Sequence, residues 1–195
     1  MKDEKTASMR KRHSCFQGVL LFLLSFFLLL PQVSLAATRA EINRDVTIAL
    51  DKLYRTTPAA RELSKIAKGI LVFPNIIQGG LIVGGQYGEG ALRINGRTKG
   101  YYNTVSASYG LQIGAQSFGY ALFFLDQKSL NYLKNTKGWE LGTSPSVVLV
   151  DQGMARTVST TTAKSGIYAF FFNQKGLMAD ISIQGSKISA IHPEK

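Results

Sequence analysis

Gly84, Gly88 and Gly90 fall in the G-x-x-x-G-x-G spacing with which short-chain dehydrogenases wrap backbone around a cofactor pyrophosphate. That chemistry requires a strand that passes through the glycines into a helix whose N-terminus meets the phosphates. Here the chain continues as ALRINGRTKGYY from Ala91 to Tyr102, a hairpin signal without a helical stripe. No Tyr-x-x-x-Lys pair is present, and no Gly-Lys-Ser or Gly-Lys-Thr makes a Walker-type loop. The stretch GGLIVGGQYGEGALRINGRTKGYY, Gly79 to Tyr102, is therefore expected to be sheet. Its glycines would mark bends or the close approach of another backbone or ring, with Tyr87, Tyr101 and Tyr102 as the rings at hand.

Catalytic groups are scarce. His13 precedes an apolar run, and His192 is three residues from the end. A Ser-His-Asp set built on His192 with Asp151 or Asp180 has no nucleophile-elbow motif behind it. Glu89 beside Tyr87 is a candidate perturbed carboxyl if it points inward, and otherwise a residue of the wet face or a partner of Arg93. One histidine and scattered carboxylates give no ligand spacing for zinc. No catalytic residue, metal or cofactor is assigned, and a non-enzymatic protein is expected.

Basic residues form two groups. Arg61, Lys65 and Lys68 lie at i, i+4 and i+7 of a predicted second helix, so they would project from one face, where a lipid phosphate could bridge them. Arg93, Arg97 and Lys99 surround a predicted hairpin turn. The whole chain carries a formal charge of +11. Setting aside residues 1–36 removes five basic and two acidic residues, and 18 Lys and Arg against 10 Asp and Glu leave +8. Such a surplus favours polyanionic partners. Solvated surface charge is the plainer explanation of both groups.

Residues 1–36 are set aside because Lys2, Lys5, Arg10, Lys11 and Arg12 precede the 13-residue apolar run GVLLFLLSFFLLL, Gly18 to Leu30, then Pro31 and Ser34-Leu35-Ala36. A span needs about 20 apolar residues, so this is the layout of a secretory signal peptide cut after Ala36, with an uncleaved anchor as the alternative. Cys15, the only cysteine, precedes the run, so it is not a lipoprotein cysteine, and the mature chain would have neither disulfide nor thiolate. The remaining 159 residues suit one domain, 37–195. Outside the cytoplasm, anionic lipid headgroups and cell-wall polymers outrank nucleic acid as partners.

The elements that must position these groups read clearly. Thr38-Arg39-Ala40-Glu41 is a capping box, and Ile42, Val46, Ala49, Leu50 and Leu53 make one helical stripe. Core packing is the expected use of that stripe, with insertion into a membrane interface the rival. Thr57-Pro58 predicts a second helix with Leu63, Ile66 and Ala67 on its apolar face, ended by Gly69. Strands are expected at Ile70–Phe73, stopped by Pro74; through the glycines to an Asn95-Gly96 turn; at Gly100–Ser108; and at Leu111–Leu125 with one apolar face, bent at Gly119. A short helix over Asp126–Thr136 turns Leu130 and Leu133 inward, and strands follow at 147–150, 156–162, 167–172, 177–183 and 187–191. Trp139 reads as core or turn rather than as a membrane anchor. The fold class is α+β: an antiparallel β-barrel or sandwich-like sheet, with an N-terminal helical pair and one short helix packed to one side.

KGILVFPNIIQGGLIVGGQYGEGAL, GYYNTVSASYGLQIGAQ, LGTSPSVVLVDQG and IYAFFFNQKGLMADISIQGSKIS, in that order over about Ala40 to Ile191, resemble the SYLF family, the lipid-binding or yeast actin-patch-type domain. The resemblance implies a non-enzymatic module. Eukaryotic members bind phosphoinositides and some bind actin filaments; bacterial members are exported proteins, often described as lipid-binding. It also implies a lysine-bearing amphipathic N-terminal segment, and Lys65 and Lys68 stand just before the matching GILVFP. The expectation is an exported protein of the periplasm or cell envelope, peripheral to the membrane, that binds anionic phospholipid through Arg61, Lys65, Lys68, Arg93, Arg97 and Lys99. The actin activity is not carried over. Two alternatives remain: an envelope factor binding a protein or the cell wall through IYAFFF, Ile167 to Phe172, and a hydrolase or small-lipid carrier with a cavity behind the glycines.

Overall fold

The structure is a computed structural model that describes residues 36–80, 83–109, 114–150, 159, 161, 163, 166–176, 183 and 185–195. The predicted leader, Asp151, Asp180 and almost all of the strands expected at 156–162 and 177–183 lie outside these residues. Residues Ala36–Lys195 form one compact unit.

Helix α1, Arg39–Thr56, starts where the capping box predicts. Thr38 Oγ1 accepts from the Glu41 amide at 3.3 Å, and Glu41 Oε2 accepts from the Thr38 amide at 2.8 Å. Each bond satisfies a backbone donor that the first helical turn leaves open. Ile42, Val46, Ala49 and Leu53 are its buried stripe. Helix α2 is Pro58–Ser64, shorter than its apolar pattern suggests. Thr57 is its N-cap in backbone conformation only, because no side-chain cap bond forms. Ile66 is exposed rather than inward, since the chain has already left the helix to begin a strand.

Strands β1 (Gly69–Gly80), β2 (Val83–Ile94), β3 (Arg97–Tyr109) and β4 (Gly114–Phe124) lead to helix α3 (Gln127–Asn135), then β5 (Trp139–Glu140), β6 (Val147–Val150), β7 (Ile167–Gly176) and β8 (Lys187–Ile191). They form one curled sheet, a half-barrel, in the order β5-β8-β3-β2-β1-β4-β7-β6. The class is α+β as expected, but the sheet is mixed, because β6 pairs with β7 in parallel. The β2–β3 turn is the predicted hairpin: Asn95 at φ 50° and Gly96 at φ 74° both occupy the left-handed region, the pair of positive φ values that a type I′ turn needs.

Pro74 does not stop β1. Proline lacks an amide donor, and an interior strand keeps it only at a bulge. The register shifts there on both sides: Val72 pairs with Ala91 and Asn75 with Glu89 across β2, while Phe73 pairs with Tyr120 and Ile76 with Phe118 across β4. Gly90 and Gly119 are therefore the single residues facing the doubled positions. A Cβ on Gly90 would lie 2.0 Å from the Val72 carbonyl oxygen and 2.8 Å from the Phe73 ring; one on Gly119 would lie 2.3 Å from the Phe172 ring and 2.7 Å from the Pro74 oxygen. The glycines thus serve close approach, as the sequence indicates: the crowding rings at Gly90 and Gly119 are Phe73 and Phe172, while at Gly100 the ring is Tyr102, 3.1 Å from where a Cβ would be.

Each face of the sheet buries side chains over part of its area. α1 and α2 cover Ile70, Val72, Ala91, Ala121, Phe123 and Phe170 on the outer face. Leu71, Phe73, Leu92, Phe118, Tyr120, Leu122 and Phe124 line the inside of the curl with Leu130 and Leu133 of α3. The Phe124 and Trp139 rings, 6.2 Å apart, meet there from strands far apart in the sheet order. The three helices among the described residues are thus split between the two faces, and β4 is apolar on both rather than on one. Asp126 caps α3, its Oδ1 accepting from the Ser129 amide at 2.7 Å.

Candidate functional site

The three basic residues of the second helix do not share a helical face. Arg61 lies in α2, Lys65 is its C-cap, and Lys68 is beyond it, its amide donating to the Phe124 carbonyl at 2.7 Å. All three side chains are exposed. Lys65 Nζ is 2.6 Å from Glu62 Oε1, a surface pair of the kind that contributes little to stability.

The hairpin group is likewise divided. Arg93 is half-buried, and its Nη2 donates to the Asn43 carbonyl at 2.9 Å and to Thr47 Oγ1 at 3.1 Å. It therefore holds α1 onto the hairpin. Asn43 adds to this join by accepting from Thr98 Oγ1 at 2.6 Å and donating to the Tyr101 hydroxyl at 2.8 Å. Arg97 and Lys99 are exposed on β3.

What the fold does bring together is Lys65 and Arg93, one from each group. Both line a cavity of about 330 Å³ whose walls also include Asp51, Tyr54, Ser64 and Gly96. The volume is within the ~300–1,000 Å³ typical of small-ligand sites. It combines two cations, the hydroxyls of Thr47, Tyr54 and Ser64, the Asn95 amide and one carboxylate, a set able to hold a phosphate while the carboxylate accepts from a ligand hydroxyl. Lys99 lines a different cavity of about 450 Å³ with Arg39, Tyr101 and His192. Arg61, Lys68 and Arg97 line neither of these two cavities. Lys65 was visible in sequence as part of a charge run, but its place in one cavity lining with Arg93 depends on how the end of α2 lies relative to the β2–β3 turn.

Glu89 neither works as an isolated acid nor pairs with Arg93. It accepts from the Ala37 amide at 3.0 Å and from the Tyr87 hydroxyl. The Tyr87 phenol is pushed up to about 12, first by burial and then by the bond to Glu89, which opposes a second negative charge. Burial also raises Tyr54, Tyr102 and most strongly Tyr120, which is fully inside the curl. In the unfolded chain these phenols release protons near pH 10. Stability is then complete below about pH 10 and falls as pH rises toward their folded values, because the unfolded state binds fewer protons there. An alkaline titration followed at 295 nm should show these tyrosines ionising together with loss of circular dichroism; smooth ionisation of all eight tyrosines before any unfolding would refute this.

Other expectations resolve as follows. Ile167, Tyr168, Ala169 and Phe170 are buried and Phe171 and Phe172 half-buried, so the strand proposed as a partner surface is core. His192 sits on a C-terminal segment tied to α1: the Arg39 amide donates to the Glu194 carbonyl at 2.9 Å and Arg39 Nε to the Pro193 carbonyl at 2.9 Å. Among the described residues no His, Cys, Asp and Glu cluster could hold a metal, and no helix is long and apolar enough to cross a membrane.

The described residues thus form a curled α+β sheet with two cavities lined in part by basic side chains. Residues 105–193, from β3 through the C-terminal tail, match the family model Ysc84, described as Las17-binding protein actin regulator. This is the SYLF domain family that the motifs resemble, and the match covers a little under half of the chain. That family is associated with lipid binding and actin regulation and is not an enzyme family. No curated protein matches the chain.

Proposed function

We propose that this protein is a non-enzymatic binder of anionic phospholipid, exported to the cell envelope and peripheral to its membrane. The SYLF match supports the lipid-binding class. The observation that carries the headgroup site is the convergence of Lys65 and Arg93 on one cavity. A phosphorylated headgroup places its phosphate between them and its hydroxyls toward Asp51 and Ser64. Arg61 and Lys68 are exposed nearby in the chain and supply longer-range attraction that salt screens.

Each basic side chain near an anionic surface contributes about 1 kcal/mol. In vesicle co-sedimentation, replacing Arg61, Lys65 and Lys68 together with alanine should weaken binding by up to about a hundredfold, and Lys65→Ala alone should account for the part that survives high salt. Unchanged binding by the triple variant would show that the headgroup site is elsewhere.

A further inference from the structure

The strand registers place a second surface on the outer face, beyond the reach of α1 and α2. Val105 of β3 pairs with Tyr87 of β2, and Tyr87 with Ile77 of β1. Directly paired residues on neighbouring strands point to the same side of a sheet. Tyr87 lies at two-residue steps from Glu89 and Ala91, and Ala91 is under the helices, which fixes the side as the outer one. Ile77 is 62% exposed, Tyr87 45% and Val105 44%. Isolated exposed apolar residues are ordinary, but here three stand on three adjacent strands, side by side.

The row continues in both directions. Val105 pairs with Lys187 of β8, while Ile77 pairs with Ser117 of β4 and Ser117 with Lys175 of β7. Both lysines are exposed. At about 4.8 Å per strand, the line from Lys187 to Lys175 extends roughly 24 Å along the sheet. Two acidic residues adjoin it: Glu140 of β5, paired with Lys187 at the sheet edge, and Glu89 of β2, whose carboxylate is occupied by the Tyr87 hydroxyl and the Ala37 amide. Two residues further along the strands, on the same side, a parallel row consists of Ala107, Gly85, Gly79 and Ala115. Among the described residues of that row no long polar side chain stands beside the apolar strip.

We infer that the strip Val105–Tyr87–Ile77, with Lys187 and Lys175 at its ends, is a contact surface for an anionic lipid bilayer. The arrangement suits that occupant because apolar groups enter the headgroup and acyl boundary while flanking ammonium groups meet lipid phosphates. The inference rests on the lipid-binding reading above and adds to it a surface apart from the Lys65–Arg93 cavity. The cavity selects a headgroup; the strip supplies apolar insertion.

The test uses the full chain carrying Cys15→Ser and Ile77→Cys, labelled at position 77 with an environment-sensitive fluorophore. Vesicles contain phosphatidylglycerol and phosphatidylcholine in equal parts, or phosphatidylcholine alone. A control carries the label at Tyr132, which is exposed on α3 on the other side of the sheet. The label at 77 should shift to the blue and be quenched by a lipid-borne quencher on the anionic vesicles, whereas the label at 132 should not. Ile77→Asp with Val105→Asp should weaken sedimentation roughly tenfold or more with an unchanged thermal melt. Lys175→Glu with Lys187→Glu should reduce the preference for anionic over neutral vesicles by about tenfold.

If the protein sediments but the label at 77 is unmoved and the aspartate pair binds normally, the strip is not the membrane contact, while the lipid reading stands. If the protein fails to sediment with either vesicle, both proposals fall. If the aspartate pair loses a soluble protein partner and no vesicle binding, the strip is a protein interface and the inference is wrong.

Discussion

Gly90→Ala is expected to destabilise the protein by about 3 kcal/mol or more, near the upper end of what overpacking costs. The new methyl group would be placed 2.0 Å from the Val72 carbonyl oxygen and 2.8 Å from the Phe73 ring. A flexible side chain could turn aside, but a backbone oxygen inside a paired strand cannot. Relief would require undoing the bulge at Phe73–Pro74, which is the means by which β1 carries a proline between two hydrogen-bonded neighbours. Gly85→Ala on the same strand is the internal control, since its Cβ would meet only the Ser106 oxygen at 3.4 Å. That change should stay within about 0.5 kcal/mol. Urea denaturation of the two variants measures the contrast. Equal effects at both positions would show that the glycines do not serve the bulge, and a dinucleotide bound against Gly84–Gly90 would overturn the sheet-packing account outright.

The second large effect lies in α1. Leu53 is fully buried among Val46, Ala60, Leu63 and the outer-face side chains of the sheet. Leu53→Asp should cost about 4 kcal/mol or more, because truncating a buried leucine alone costs about 2–5 kcal/mol and a buried carboxylate without a partner adds to that. The expected result is loss of cooperative unfolding at ordinary temperature. This decides between the two uses of the apolar stripe: a helix whose stripe enters lipid would give a well-folded variant with weak vesicle binding. A normal melt for Leu53→Asp would move α1 from the core to the membrane interface and require a different cover for Ile70, Val72 and Phe123. The capping box at Thr38 and Glu41 would be unaffected by that outcome, since it concerns only where the helix begins.

Features decided by neighbours in the chain were legible. Thr38 and Glu41 begin α1, Asn95-Gly96 forms the hairpin turn, and the i, i+4, i+7 stripe of Ile42, Val46 and Ala49 faces the core, because each follows from local geometry within a few residues. Pro74 misled for the opposite reason. Whether a proline ends a strand or bulges within it depends on the residues opposite, and Gly90 and Gly119 are 16 and 45 positions away in sequence. The apolar pattern makes helix α2 look too long because Ile66 and Ala67 continue its period through the turn that leads into β1 at Gly69. The run Ile167–Phe172 looked like a surface in sequence; with α1 and α2 on one side and the inside of the curl on the other, it had nowhere to be but inside.

The candidate sites divide the same way. The amino-acid order alone determined the basic surplus, the lack of any nucleotide loop, and the individual lysines and arginines to consider. Tertiary packing alone decided that Lys65 and Arg93 line one cavity while Lys99 lines another, and that Ile77, Tyr87 and Val105 stand in line between two lysines. Charge and local conformation are properties of a residue and its near neighbours, whereas a cavity or a row across five strand pairings exists only once distant segments have fixed their register.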